Sequence, residues 1–208
     1  MKRLAGIVQL LFLQIWILKG RTMPVNSTGC KHTSICNDIT TILTQIQNKI
    51  REMHTVDQNL SDEYALKNGF TRDQGYCNPK SFGPHVNLKN ISEEERFFEM
   101  HKTFLFLSDV LTQVAEYQGQ LNANQKSFLK QLSNTVNGIK AISSNLSCLL
   151  CQKYNRTQEN ENYEKPFPTH QKDFQKKVWG CKVVTKYKDF ISEAAGIDFV
   201  KPLTPDQK

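Results

Sequence analysis

The gaps between the helical stretches of this chain constrain its fold more than any motif does. Apolar residues recur with a helical period in four places, and no segment alternates convincingly like a strand. The first stripe follows Cys36 and holds Ile39, Ile42, Leu43, Ile46, Ile50 and Met53. The second opens on "SEEER", where Ser92 and Glu95 have the spacing of a capping box. It continues through Phe97, Phe104, Leu105 and Leu111 and fades near Gly119. The third starts around Asn124 and carries Phe128, Leu129, Leu132, Val136, Ile139, Leu146 and Leu150. The fourth runs from about Thr169 or Asp173 to Ala195, just before Gly196.

More than 30 residues separate the first two helices, with Gly69, Gly75, Pro79, Gly83 and Pro84 among them. A handful separate the second from the third, and the polar "NRTQENENYEKPFPT" precedes the fourth. A short link forces antiparallel neighbours, whereas a long one can run the length of a bundle and leave neighbours pointing the same way. Long–short–long therefore predicts an all-α, long-chain four-helix bundle with up-up-down-down topology.

Residues 1–22 read as a secretory signal peptide. Lys2 and Arg3 are followed by an apolar run, Leu4 to Leu18, broken by Gln9 and Gln14. That run is too short and too polar to span a membrane, and Gly20 and Thr22 are each small enough to precede the cut. An uncleaved anchor is the alternative. Residues 23–208 are then expected to form one secreted domain, a monomer with no membrane insertion. Five Asn-x-Ser/Thr sequons, at Asn26, Asn59, Asn90, Asn145 and Asn155, agree with a secretory route.

The formal charge is +7, and part of it leaves with Lys2, Arg3 and Lys19. No Arg-rich run or aromatic–basic interleaving suggests a nucleic-acid groove. Lysines gather at 172, 176, 177, 182, 186 and 188. They read as a solvated helix face, with an acidic partner or glycosaminoglycan as the alternative.

All six cysteines, Cys30, Cys36, Cys77, Cys148, Cys151 and Cys181, follow the leader. An even count in a secreted chain points to disulfides. "CLLC", Cys148 to Cys151, has redox-motif spacing but closes a long helix instead of opening one. Residues three apart on a helix are also too far apart at Cβ for an unstrained bridge. Both more naturally reach outward, although spacing alone leaves several connectivities open. The five histidines are scattered, so no metal site, cofactor site or catalytic group is expected.

"GCKHTSIC", "CLLCQKY" and "DFQKKVWGCKVVTKYK" are similar to the leukaemia inhibitory factor / oncostatin M family of interleukin-6-type cytokines. The resemblance covers nearly the whole chain. It implies the bridges Cys30–Cys151, Cys36–Cys148 and Cys77–Cys181. The full set of six cysteines favours the leukaemia inhibitory factor branch over the oncostatin M branch. Two departures stand out: the link from Cys36 into the first helix is about two residues longer, and the tail "GIDFVKPLTPDQK" overruns the family's usual end.

Phe174 opens the fourth helix on the wrong side. At 3.6 residues per turn, Trp179, Val183, Tyr187, Phe190, Ile191 and Ala194 share one apolar face. Phe174 falls roughly 150° from its centre, with Lys177 and Cys181 on the same surface. A large apolar residue so placed marks a contact. One reading packs it under the preceding loop, against Phe167. The resemblance implies instead that Phe174 and Lys177 bind the leukaemia inhibitory factor receptor. It also implies that Gln45, Asn48 and Glu52 of the first helix, with Ala141, Ser144 and Asn145 of the third, contact the shared signal-transducing chain of the interleukin-6 family. Without the resemblance these six are a solvated face, and a glycan on Asn145 would obstruct them. The leading expectation is a secreted cytokine that cross-links two receptor chains. A secreted thiol oxidoreductase using Cys148 and Cys151, and a helical lipid carrier, are the other classes.

Overall fold

A computed structural model describes residue 30 and residues 36–71, 75–79, 82–83, 87–157 and 172–200. The leader at 1–22, the sequon at Asn26 and the suggested partner Phe167 lie outside these. The described residues contain four long helices and one short one and no strand: α1 Ile39–Val56, α2 Leu60–Lys67, α3 Glu93–Leu121, α4 Lys126–Tyr154 and α5 Asp173–Ala195.

Local chemistry sets the helix ends. Asp38 caps α1, its carboxylate accepting from the Thr41 amide at 3.0 Å and the Thr41 hydroxyl at 2.6 Å. Ser92 caps α3 by accepting from the Glu95 amide at 3.2 Å. The return half of the expected capping box is replaced: the Glu95 carboxylate accepts from Arg156 at 3.0 Å, tying the start of α3 to the residues just after α4. Glu93 likewise meets Lys153 and Tyr154. Three glutamates in the first turn also suit the positive end of the helix dipole.

The topology follows from which residues meet. Cys36, just before α1, is bonded to Cys148 near the end of α4, and Asp57 after α1 reaches Thr135 in the first half of α4. Those two helices are therefore antiparallel. Asp57 also meets Tyr187, whereas Gln47, earlier in α1, accepts from the Phe199 amide beyond α5, so α1 and α5 are antiparallel as well. Glu93 against Lys153 makes α3 antiparallel to α4. Phe104 stacks on Phe190 and Tyr117 on Trp179, which does the same for α3 and α5. With α1 and α3 both opposed to α4 and α5, the arrangement is up-up-down-down.

The core takes the expected stripes with small changes at their edges. Ile42, Ile46, Ile50, Phe97, Phe104, Phe128, Leu132, Ile139, Leu146 and Tyr187 are buried. Leu105 and Leu129 are half-buried because they sit where a stripe meets solvent. Within residues 196–200, the described start of the tail, Phe199 is buried and stacks on Phe97 with centroids 5.6 Å apart.

Two buried polar groups matter for stability. The Asp57 carboxylate accepts from the Tyr187 hydroxyl at 2.6 Å and the Thr135 hydroxyl at 3.1 Å, joining α5 and α4 at the end of α1. Burial raises the Asp57 pKa, and burial beside Asp57 pushes the Tyr187 phenol up. His101 is 5% exposed, and burial pushes its imidazole down to about 4. An imidazole held neutral in the fold and free to protonate in the unfolded chain stabilises fully above its unfolded value near 6.5. That stabilisation is lost as pH falls from about 6.5 toward about 4. His101→Leu should therefore lose less stability than the parent between pH 7 and pH 4.5, by roughly 2–3 kcal/mol. Urea denaturation of both proteins at the two pH values checks this; parallel losses would place His101 outside the acid response.

Candidate functional site

Phe174 lies in the first turn of α5 and is 55% exposed, as its place on the helical wheel requires. It is not isolated. Tyr76 meets it edge-on, with centroids 5.5 Å apart and planes at 89°, and Phe70 stands 6.2 Å away at 71°. Tyr76 and Phe70 in turn lie 5.7 Å apart. Phe70 is buried and forms the floor, while Tyr76, 41% exposed, stands at the surface beside Phe174.

The first long connection delivers these two rings. α2 ends in a Schellman turn at Gly69, whose φ is +77°. The Gly69 amide donates to Leu66 at 3.2 Å and the Phe70 amide to Ala65 at 2.9 Å. Phe70 is thereby turned back toward the bundle. Gly75, at φ +65°, reverses the chain again just before Tyr76. The bridge from Cys77 to Cys181 then fixes that backbone to α5.

A second fastener holds the first turns of α5. The Tyr64 hydroxyl donates to the Lys177 carbonyl at 3.2 Å and accepts from the Gln118 amide group at 2.9 Å. Burial raises the Tyr64 pKa, so the phenol stays a neutral donor. Gln118 and Asn68 pair their side-chain amides in both directions at 3.2 Å, and Asn122 joins them. Gly180 makes room for this, because a Cβ there would occupy the space of the Tyr64 hydroxyl.

Lys177 is half-buried beside Phe174, and no ion pair among the described residues uses its ammonium. Lys176, on the other side, lies over the Tyr117 ring at 5.2 Å. Of the remaining lysines, Lys172 is exposed and Lys182, Lys186 and Lys188 are half-buried.

The second expected surface lies on α1 and α4, which pack directly. A Cβ at Gly138 would meet Met53, with the Lys49 side chain 3.4 Å away, so the two backbones approach closely there. On the wheel, Gln45 and Glu52 fall within ~60° of Lys49, and Ala141 and Asn145 within ~60° of Gly138. Gln45, Asn48, Glu52, Ala141 and Ser144 are exposed, and Asn145 is half-buried. Glu52 pairs with Lys49 at 2.9 Å. Among the other sequons, Asn59, Asn90 and Asn155 are exposed.

Cys148 and Cys151 belong to different bridges, to Cys36 and Cys30 respectively, so they do not form a dithiol pair. No described cysteine is free, and no metal-binding group of His, Cys, Asp or Glu occurs among the described residues. No described helix is long and apolar enough to cross a membrane. A cleft of about 470 Å³ beside Cys77 is lined by Ser61, Asp62, Ala65, Pro79, Thr185 and Lys188, between α2, the first connection and α5.

An up-up-down-down bundle with long crossovers is the architecture of a helical cytokine. A model of the LIF / OSM family matches residues 41–197, well over half of the chain. The chain belongs to that family, the interleukin-6-type cytokines that include leukaemia inhibitory factor and oncostatin M; these are not enzymes.

The sequence singles out Phe174 as an exposed ring beside Lys177 but does not announce the rings packed against it, Tyr76 and Phe70. The available signal was the pair of glycines bracketing "FTRDQ" ahead of Cys77, Gly69 and Gly75, both of which take positive φ.

Gly180→Ala should destabilise the protein by about 1–3 kcal/mol, the range for overpacking a core. An exposed mid-helix glycine would respond oppositely, gaining up to about 1 kcal/mol. Chemical denaturation of this variant gives the sign directly. A gain in stability would mean that Tyr64 does not seat on Gly180.

Proposed function

We propose that this cytokine signals by cross-linking two receptor chains through separate faces. Phe174 and Lys177 engage the leukaemia inhibitory factor receptor. Gln45, Asn48, Glu52, Ala141, Ser144 and Asn145 engage the shared signal-transducing chain of the interleukin-6 family. One observation carries the reading: a phenylalanine 55% exposed, held upright by neighbouring rings, on a helix whose own apolar face is buried. Leaving such a ring in water is unfavourable unless a partner covers it. Lys177 beside it offers a cation to an acidic group, the usual anatomy of an interface hot spot. Proximity of two receptor chains is all the ligand must supply, so no reactive group is needed.

Family membership favours secretion. Residues 1–22 then act as the leader, residues 23–208 as a monomeric domain, and the sequons Asn26, Asn59, Asn90 and Asn155 as glycan sites. Asn145 stays unmodified in this reading, because a glycan there would cover the α1–α4 face. An oncostatin M-like preference among receptors is the second reading, and binding to isolated receptor ectodomains separates the two.

Phe174→Ala should weaken binding to the leukaemia inhibitory factor receptor by about 2–4 kcal/mol. Its stability should fall much less than the ~3–5 kcal/mol expected for a buried phenylalanine. Ectodomain titration paired with urea denaturation tests both halves. A strongly destabilised variant whose folded fraction binds normally would place Phe174 in the core.

Reversing Glu52 to Lys and enlarging Ala141 to Arg should abolish recruitment of the shared chain. Helicity and binding through the Phe174 surface should be unchanged. Because Glu52 pairs with Lys49 at the surface, losing that pair should cost no more than about 1 kcal/mol of stability. Normal recruitment by the double variant would move the contact elsewhere.

A further inference from the structure

Five large apolar side chains are well exposed among the described residues: Val56, Leu66, Tyr76, Phe174 and Val200. The two aromatic ones among them, Tyr76 and Phe174, stack on each other. Their meeting is not a matter of helix geometry, because Tyr76 comes from a loop. A turn at Gly75 and the bridge at Cys77 bring it to α5. Rings packed for stability alone become buried, as Phe70 beneath them does. Tyr76 and Phe174 are held in place with much of their surface still in water.

We propose that Tyr76 and Phe174 form a single preassembled contact, and that Tyr76 itself touches the receptor chain that takes Phe174. This rests on the receptor reading of Phe174 and adds to it. Two rings at 89° present a wedge, not a single peg. The matching recess must be wide enough for both, apolar at its base and polar at its rim. The rim requirement comes from the Tyr76 hydroxyl, which makes no hydrogen bond among the described residues. A tyrosine half in an apolar pocket and half at its edge uses both its ring and its phenol. Preassembly has a thermodynamic reason: a ring already fixed by its neighbours loses less rotamer freedom on binding. Tyr76 is then a specificity residue, since a recess cut for one ring would exclude the pair.

The test is binding of the mature chain and four variants to the immobilised ectodomain of the leukaemia inhibitory factor receptor. The variants are Tyr76→Ala, Tyr76→Phe, Phe174→Ala and the double alanine form. Non-reducing peptide mapping first confirms that Cys77 and Cys181 remain joined in each. Tyr76→Ala should weaken binding about tenfold or more. Tyr76→Phe should lose a smaller, measurable part through a faster off-rate. Because the rings act together, the double variant should lose less than the product of the single losses. It should still bind more weakly than Phe174→Ala alone. Should Tyr76→Ala disturb the bridge, Tyr76→Leu keeps packing on Phe70 and carries the same expectation. If Phe174→Ala weakens binding and no Tyr76 variant does, Tyr76 is not a contact. If Tyr76→Ala has no further effect once Phe174 is gone, it only orients Phe174 and the proposal fails. Normal binding by Phe174→Ala would overturn the receptor reading itself, and the paired contact with it.

Discussion

Two parallel neighbours joined in sequence need a connection as long as the bundle, and such a connection has to be held against it. The bridge from Cys77 to Cys181 does this for the link between α1 and α3, and much of the structure depends on it. It closes a sequence separation of 104 residues, where the chain-entropy model assigns about 4–5 kcal/mol. The bridges from Cys30 and Cys36 to the end of α4 enclose nested loops, so the second of them removes little further freedom from the unfolded chain. α2 adds a non-covalent fastener beside the first bridge. Ser61 meets Thr185 at 3.0 Å, and Tyr64 seats on Gly180 while donating to the Lys177 carbonyl.

That anchoring also separates the two candidate faces. The Phe174 surface belongs to α5 and the first connection, and is braced by Tyr64, Phe70 and the Cys77 bridge. The α1–α4 face has a different support, the close approach of Met53 to Gly138. The buried Asp57, with Tyr187 and Thr135, links α1, α4 and α5. A polar group buried with its partners supplied adds little net stability, but it opposes registers that would strand it. Changes at one surface therefore need not reach the other.

The four long helices were legible because their stripes are long and their caps are local. Ser92 and Gly196 sit at the helix ends the sequence assigns them. α2 was not legible. It is eight residues long, lies in a stretch punctuated by Gly69 and Gly75, and buries only Leu60, Ser61 and Tyr64. Its stability is tertiary, borrowed from α5, and no local pattern announces that. The capping box at Ser92 was half legible for a related reason: Glu95 has a better partner in Arg156, which local spacing cannot reveal. Phe174 was recognisable as misplaced because a helical wheel is enough to show it. Its ring partners were not, because Tyr76 reaches it only through the fold of the connection and the Cys77 bridge.

α5 shows why its exposed phenylalanine is not an accident of the wheel. The helix is covered on two sides. One carries Trp179, Val183, Tyr187 and Phe190 into the bundle core. The other carries Gly180 beneath Tyr64 of α2 and Cys181 beneath Cys77 of the first connection, and both are also buried. On the wheel, Phe174, Cys181 and Thr185 lie within ~20° of one line along the helix. Going toward the N-terminus of α5, that line passes from Thr185 under Ser61, to Cys181 under Cys77, and then to Phe174. The cover provided by the chain stops there, with Tyr76 standing at its edge. A line of side chains that is covered by its own protein for most of its length and then emerges at a phenylalanine has a defined open end. A partner seated on Phe174 would complete the cover that α2 and the first connection begin.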